Sequence, residues 1–117
     1  MTRDEFDQFC RSLPATTHVI QWGDASVWKV GDRIFAICSN WGAGEGPKIS
    51  FKCSDLAFTI LREQEGIIPA PYLARAKWVQ LTRCGAMPDD DIRDYIRAAH
   101  GLISGKLPKK RREELGL

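Results

Sequence analysis

The sequence lacks the patterns that most often reveal an active site or a metal centre. It contains only two histidines, and its four cysteines, Cys10, Cys38, Cys53 and Cys84, include no CxxC pair. A zinc site needs closer ligands, so we expect the cysteines to be small buried residues without disulfide bonds. No serine, cysteine or carboxylate accompanies His18 or His100 at a spacing typical of catalysis. We therefore expect no catalytic residue, no metal, no cofactor and no enzymatic activity.

The sequence also lacks a long apolar run and a strong net charge. The N-terminal stretch MTRDEFDQFC has no signal-peptide core, and no apolar run approaches membrane length, so we expect a cytoplasmic protein. Seventeen basic and fifteen acidic residues give a net charge of +2. Residues 1–60 hold 6 basic and 7 acidic side chains, whereas residues 61–117 hold 11 and 8. This excess is weaker than nucleic-acid-binding domains usually show.

What the sequence does contain is an ordered series of helix and strand patterns, long enough for a single domain over residues 1–117. Thr2 and Glu5 form a capping box, which predicts a helix that Pro14 ends. Ser54 predicts the start of a second helix over 55–65. Met87-Pro88-Asp89 starts a third, long helix with a helical stripe of apolar residues.

Five stretches have strand character. They are HVIQW (18–22), SVWKV (26–30), RIFAIC (33–38), KISFKC (48–53) and KWVQLTR (77–83). The two-residue Gly31-Asp32 loop predicts a hairpin of the II′ type. In the fourth strand, Ile49 and Phe51 alternate with Lys48 and Lys52. Strict alternation predicts an antiparallel sheet that is covered on one face only.

The order of these elements, α-β-β-β-β-α-β-α, predicts an α+β fold: a two-layer sandwich with an antiparallel sheet of about five strands packed on helices. We expect one core between the sheet and the helices. Its predicted members are Phe6, Phe9, Ile34, Ala36, Ile49, Phe51, Leu61, Ile92, Ile96 and Ile103.

The predicted open face of the sheet is the first candidate binding surface. If Val79 and Leu81 point to the helices, Trp78 lies on the open face with Lys48 and Lys52. An aromatic side chain among lysines suits base stacking and phosphate contact, and it equally suits the cover of a sheet edge or a dimer contact. Arg75 and Lys77, on the approach to this strand, are further candidate contacts.

The strongest charge run is KKRREE at 109–114, and it gives two readings. As a helix it places cations at its positive end, against the helix dipole, so the favoured reading is a solvated tail. In the alternative reading, Lys109, Lys110, Arg111 and Arg112 contact phosphates.

Two other features are interpreted as structural. The glycine-rich stretch NWGAGEGP (40–47) precedes a strand rather than a helix, so it is a hairpin loop and not a phosphate loop. Asp4, Glu5, Asp7 and Asp24 are candidates for an acidic ridge that binds a cation. A first turn that matches the helix dipole explains most of these carboxylates more simply.

Several short motifs together resemble the MmcQ/YjbR-like family. They are SLPATT (12–17), Trp22-Gly23, PAPYL (69–73), KWVQL (77–81) and GKLPKKRR (105–112). The resemblance runs the length of the chain and implies a frataxin-like (CyaY-like) α+β fold. The family is labelled DNA-binding through a double wing of β-hairpins, although it has no agreed biochemical role. Ala98-Ala99-His100 stands where the family commonly has a Ser-Tyr pair.

The residues and the resemblance together favour a non-enzymatic DNA-binding protein with little sequence preference. A protein–protein interaction module is the alternative, because an uncovered sheet with Trp78 also suits a protein partner. A frataxin-like metal binder is the weaker alternative, since it depends on likeness of fold. Pro69 and Pro71 are read as structural, holding an extended approach to the strand, with Tyr72 and Leu73 closing over the core.

Overall fold

The computed structural model describes residues 1–42, 44 and 46–117, so Ala43 and Glu45 of the predicted hairpin loop lie outside the described residues. The elements are α1 (Arg3–Ser12), β1 (Thr16–Gln21), β2 (Ala25–Val30), β3 (Arg33–Ser39), β4 (Lys48–Lys52), α2 (Asp55–Leu61), β5 (Ile67–Pro69), a 3-10 turn (Ala74–Ala76), β6 (Trp78–Leu81), α3 (Asp89–Gly105) and α4 (Lys109–Glu114). No helix in these ranges is both long and apolar enough to cross a membrane.

The strands form one antiparallel sheet in the order β1-β2-β3-β4-β6-β5. This confirms the predicted α+β fold, with six strands instead of about five. The additional strand, β5, is three residues long and ends at Pro69. Pro69 lacks a backbone N–H, so a short strand containing it is tolerated at the edge of a sheet. Apart from β5, the 3-10 turn and α4, the element order follows the prediction.

The main core lies between the sheet and helices α1, α2 and α3. Phe6, Ala36, Phe51 and Ile96 are fully buried there, and Ile49 is nearly so. Leu61 and Ile92 belong to the same core, with Phe9 and Ile103 packed against it while partly exposed. This confirms the predicted face of β4, on which Ile49 and Phe51 point to the helices.

Ile34 was assigned to the wrong face of the sheet. The register shifts between Trp28, which pairs with Ala36, and Lys29, which pairs with Ile34. Phe35 is therefore an extra residue, and Phe35 and Ala36 both point to the main core. Such a β-bulge breaks the two-residue period, so Ile34 packs on the opposite face.

The second face of the sheet is also covered, contrary to the prediction of an open face. A second apolar cluster on it contains Ala25, Val27, Ile37, Ala70 and Trp78, with Val19, Ile34, Trp41 and Leu73 packed against them. Trp41 comes from the β3–β4 connection, and Ala70 and Leu73 from the β5–β6 connection. Two loops thus replace the missing helix layer on this side.

Of two predictions from short motifs, the helix cap is confirmed and the turn type is wrong. The capping box is confirmed: Thr2 Oγ1 accepts from the Glu5 backbone N–H at 3.1 Å, and Glu5 Oε1 accepts from the Thr2 N–H at 2.9 Å. The β2–β3 turn is a different type from the one predicted. Gly31 and Asp32 have φ of 57° and 65°, and two successive positive values define a type I′ turn rather than II′.

The C-terminal charge run is a docked helix rather than a solvated tail. Leu107, two residues before α4, is buried against Gly31 of the β2–β3 turn. Arg111 also reaches Asp32 of that turn, with 3.6 Å between Nη2 and Oδ2. The apolar anchor and the ion pair hold a helix whose own charge order opposes its dipole. The second helix, in contrast, is shorter than predicted and ends at Leu61.

Candidate functional site: an aromatic pocket

An open pocket of about 380 Å³ lies on the sheet face that has no helices. Its walls are Trp22, Ile34, Ile37, Trp41, Tyr72, Leu73 and Trp78. Trp22 and Trp41 stand with their ring centroids 5.5 Å apart at an interplanar angle of 54°. The pocket is therefore almost entirely apolar, and more than half of its lining residues are aromatic.

Two of the aromatic residues are held in a backbone conformation that bulky side chains avoid. Trp22 has φ of 53° and Tyr72 has φ of 67°. The left-handed region costs a residue with a β-carbon roughly 1–2 kcal/mol. Strain of this kind is often found at functional sites, where the rest of the fold maintains it. Both strained aromatics line the same pocket.

Tyr72 does not close over the core as predicted, because it is 95% exposed. Its segment is a compact turn. The Ala70 N–H donates to the Trp78 carbonyl at 2.9 Å, and the Trp78 N–H donates to the Leu73 carbonyl at 3.3 Å. Leu73 does pack on the second apolar cluster. The PAPYL segment is thus structural at Ala70 and Leu73, while Tyr72 forms an exposed rim of the pocket.

Lys48, Lys52 and Trp78 do not form the exposed basic surface that the alternation predicted. Lys48 is 1% exposed, and its Nζ donates to the carbonyls of Gly44 and Gly46 at 3.1 and 3.3 Å. Lys52 Nζ donates to the Ala76 carbonyl. Trp78 is buried beside the pocket. The loops that cover this face account for all three differences.

The remaining predicted contact residues are dispersed. Lys77 sits in a left-handed conformation with its Nζ 5.1 Å from the ring centroid of Phe58. Lys109 and Lys110 are exposed on α4, Arg111 pairs with Asp32 and Glu114, and Arg112 is partly buried. Of the predicted contact residues outside Lys48, Lys52 and Trp78, only Arg75 is both exposed and close in sequence to the pocket. It follows Tyr72 by three residues. The structure does not gather the predicted set into one surface.

Two cations lie next to lining residues of the pocket in the chain or in the sheet register, and neither forms an ion pair among the described residues. One is Arg75, in the 3-10 turn, and the other is Lys29. Lys29 pairs across strands with Ile34, a lining residue, and cross-strand partners project from the same face. The sequence did not indicate that Lys29 lies on the pocket face, because the β-bulge that pairs Lys29 with Ile34 has no sequence pattern.

A polar cluster that sequence reasoning missed lies between α1 and the β1–β2 hairpin. Asp7 Oδ1 accepts from Ser26 Oγ at 2.5 Å and from Trp28 Nε1 at 2.9 Å. His18 Nε2 lies 2.7 Å from Ser26 Oγ, and the His18 ring stacks on Trp28 at 4.5 Å. The predicted hairpin could have indicated part of this cluster, since strands that pair about Gly23-Asp24 place His18 opposite Trp28.

This cluster has the residue types of a catalytic triad but not its connectivity. A serine hydroxyl has one proton, and Ser26 gives it to Asp7, so His18 Nε2 must donate to Ser26. Ser26 is also completely buried. A nucleophile needs a base that accepts its proton and needs access to substrate. The cluster therefore joins α1 to the sheet instead of presenting a nucleophile.

The other polar candidates also have protein partners. His100 Nε2 lies 2.8 Å from the Pro14 carbonyl oxygen. Asp24 pairs with Arg3 at 3.3 Å, and Glu5 is used in the capping box. Within the described residues, no three histidine, cysteine or acidic side chains come together as a metal site.

The prediction of buried cysteines is confirmed at three positions of four. Cys10, Cys38 and Cys53 are buried, and burial raises the pKa of Cys38 and of Cys53 to about 11. Cys84 is exposed, contrary to the prediction. None of the four lies in the aromatic pocket.

Comparison with known proteins places the chain among relatives of one kind. The model of the family described as YjbR matches residues 11–102. The chain belongs to the YjbR family. The YjbR proteins of Escherichia coli strains K12 and O157:H7, both named as uncharacterized, are 27% identical over 118 residues. Each match covers 98% of this chain and 98% of the relative.

Two solved structures share the fold of this chain. The crystal structure of Deinococcus radiodurans protein DR2400, described as a DUF419 domain, superposes with a TM-score of 0.86 at 27% identity. That match covers 99% of this chain and 88% of the other. A Pseudomonas syringae protein matches with a TM-score of 0.73 at 20% identity, over 87% of this chain and 98% of its own, and so shows likeness of fold alone.

Proposed function

We propose that this YjbR-family protein is a non-enzymatic, cytoplasmic nucleic-acid-binding protein that holds single-stranded DNA by stacking bases in the aromatic pocket. The observation that carries the proposal is the meeting of Trp22, Trp41, Tyr72 and Trp78 around one open concavity. Stacking of bases on aromatic side chains tolerates any sequence, because every base has a flat π-face. The binding would therefore show little sequence preference.

Burial of Lys48 and Trp78 favours single strands over duplex as the ligand. Phosphate contacts supply most of the affinity of proteins that bind duplex DNA without sequence preference. Lys48 already donates to two loop carbonyls and is closed off from solvent, so it cannot serve a phosphate. A duplex keeps its bases stacked inside, whereas a single strand presents them to the pocket.

The charges beside the pocket suit a strand that carries phosphates. Lys29 and Arg75 have no carboxylate partner among the described residues, and no acidic residue lines the pocket there. A groove that binds single strands combines aromatic platforms with cations that follow the backbone. Two phosphate contacts would add to the free energy of base stacking without supplying most of the affinity.

The experiment is a titration with a labelled dT oligonucleotide, followed by the fluorescence of the pocket tryptophans. Trp22→Ala and Tyr72→Ala remove exposed side chains, so both variants should fold normally. Each should weaken binding of the oligonucleotide by roughly 1–3 kcal/mol, the usual loss for one stacked base. A duplex of the same length should bind more weakly than the single strand.

Leu56→Ala is the matched control, because it removes another exposed large apolar side chain, from α2 and outside the pocket. It should leave affinity for the oligonucleotide unchanged. Equal affinity of wild type, Trp22→Ala and Tyr72→Ala for dT would show that the pocket does not stack bases. Binding of duplex with preference over single strand would contradict the proposal in another way.

A protein-interaction module is the second candidate, favoured by the apolar lining of the pocket and by Tyr72 at 95% exposure. Grooves lined with aromatic residues bind proline-rich segments in several recognition domains. A polyproline peptide should then produce shifts in the Trp22 and Trp41 indole signals while dT produces none. This result would replace the DNA proposal with the interaction module.

A further inference from the structure

A second groove, of about 450 Å³, lies on the helical side of the molecule between α2 and α3. It shares no lining residue with the aromatic pocket. Its walls are Lys52, Cys53, Ser54, Ala57, Tyr95, Ala98, Gly101 and Leu102. Small residues at Ala57, Ala98 and Gly101 keep the groove open, because none of them has a side chain long enough to fill it. Tyr95 is fixed by stacking on Phe51 at 5.6 Å.

One end of this groove carries positive charge. Lys52 lines it, and Lys106 follows Leu102 by four residues, which places Lys106 on the same side of α3 near its end. Burial lowers the pKa of Lys52 most, and nearby Lys106 and, more weakly, Lys77 lower it further, whereas Asp55 and Cys53 raise it. None of the three lysines forms an ion pair within the described part of the chain. Lys52 Nζ donates to one carbonyl, that of Ala76, which leaves two of its three N–H groups for a ligand.

The groove and the lysines together have the chemistry of a site for an amphipathic anion. Ligand sites are commonly concave and apolar, with a few placed polar groups that fix orientation. Lys52 and Lys106 repel each other, and Asp55 acts on Lys52 more weakly than Lys106 does, so an anion between the two lysines would relieve the remaining repulsion. We propose that the α2–α3 groove binds a medium-chain fatty carboxylate, with its carboxylate at Lys52 and Lys106 and its alkyl chain along Ala98 and Leu102.

The probe is sodium octanoate, titrated into isotopically labelled protein and followed by the backbone amide signals. Shifts should concentrate at Lys52, Ala57, Ala98 and Leu102, and the pocket residues Trp22 and Trp41 should not shift. 1-Octanol has the same chain without the charge and should bind roughly tenfold or more weakly. Butanoate keeps the charge with four fewer methylenes and should also bind roughly tenfold or more weakly.

Gly101 offers a matched pair of variants. A β-carbon there has no other atom within 4 Å, so both substitutions should leave the fold intact. Gly101→Leu fills the groove and should abolish octanoate binding, whereas Gly101→Ala should preserve it. Lys52→Gln with Lys106→Gln should remove the preference for octanoate over octanol. The control, Lys109→Gln with Lys110→Gln, makes the same change of charge on α4 and should leave the preference for octanoate over octanol unchanged.

Three results would overturn the proposal. The first is that octanoate causes no shifts localised at the groove. The second is that Gly101→Leu binds octanoate as tightly as Gly101→Ala. The third is that octanol binds wild-type protein as tightly as octanoate does. The proposal does not depend on nucleic-acid binding, so the loss of either site leaves the other testable.

Discussion

Leu107 occupies the space that a side chain at Gly31 would need: a β-carbon on Gly31 would lie 2.6 Å from the Cδ1 atom of Leu107. The contact joins the β2–β3 turn to Leu107, two residues before α4 begins. It explains why a helix with cations at its positive end is nevertheless ordered against the sheet. The C-terminal segment is therefore part of the fold.

The first prediction follows from this contact. Gly31→Ala should destabilise the protein by roughly 1–3 kcal/mol, since alanine is strained at a φ of 57° and its methyl group displaces Leu107. Gly23→Ala is the matched control, with φ of 86° and no atom near the added carbon. Urea unfolding should show the larger loss for Gly31→Ala. Equal losses would mean that strain alone acts and that Leu107 is not packed there.

The second prediction concerns Asp7, the partly buried acceptor of the polar cluster. Asp7→Ala removes the acceptor shared by Ser26 Oγ and Trp28 Nε1, which leaves the buried Trp28 N–H unpaired and Ser26 with His18 alone. We expect a loss of roughly 2–4 kcal/mol in the free energy of unfolding. Asp4→Ala, on the exposed first turn of the same helix, should cost about 1 kcal/mol or less. If the two variants lose the same stability, the cluster does not join α1 to the sheet.

The sequence predicted those parts of the fold that depend on neighbouring residues. The capping box needs only Thr2 and Glu5, three residues apart, and it forms as expected. The alternation at Ile49 and Phe51 correctly gave the face that meets the helices, because burial on one side of a strand repeats every second residue. The order of the other elements followed from local signals of this kind, which gave neither β5 nor α4.

The candidate site was predicted less well, because it depends on what the loops do. A lysine in an alternating strand indicates a solvated face, yet Lys48 lies under a loop whose carbonyls satisfy its ammonium. The bulge at Phe35 likewise moved Ile34 into the pocket wall. Neither loop position nor bulge position has a periodic signature, so alternation at Lys48, Lys52 and Trp78 predicted the wrong surface.

The third prediction is a dependence on pH that arises from the capping box. Hydrogen bonds from the Thr2 backbone and side chain lower the pKa of Glu5 below its ordinary value of 4.5. A carboxylate with a depressed pKa in the folded state stabilises the fold above the unfolded pKa. That contribution is lost as the pH falls through the folded pKa. The stability difference between wild type and Glu5→Ala should therefore be greatest near neutral pH and disappear in acid.

The same prediction can be checked at the carboxyl group itself. The side-chain carbon of Glu5, followed by NMR, should titrate below 4.5 in the wild type. Thr2→Ala should move that midpoint back toward the ordinary value, and Thr2→Ser should not, because serine keeps the capping hydroxyl. A wild-type midpoint at or above 4.5 would show that the box does not persist in solution.

The fourth prediction uses salt to test the proposed single-strand site. If Lys29 and Arg75 each neutralise one phosphate, log Kobs should fall with log salt at a slope of about −1.4, from about −0.7 for each contact on a single strand. Arg75→Gln should halve the slope, to about −0.7, while the stacking contribution of Trp22 stays. Lys109→Gln with Lys110→Gln should leave the slope unchanged, because these residues lie on α4. If Arg75→Gln leaves the salt slope unchanged and the α4 variant flattens it, the phosphate contacts lie on the C-terminal helix. The cations beside the aromatic pocket would then make no contact with the strand.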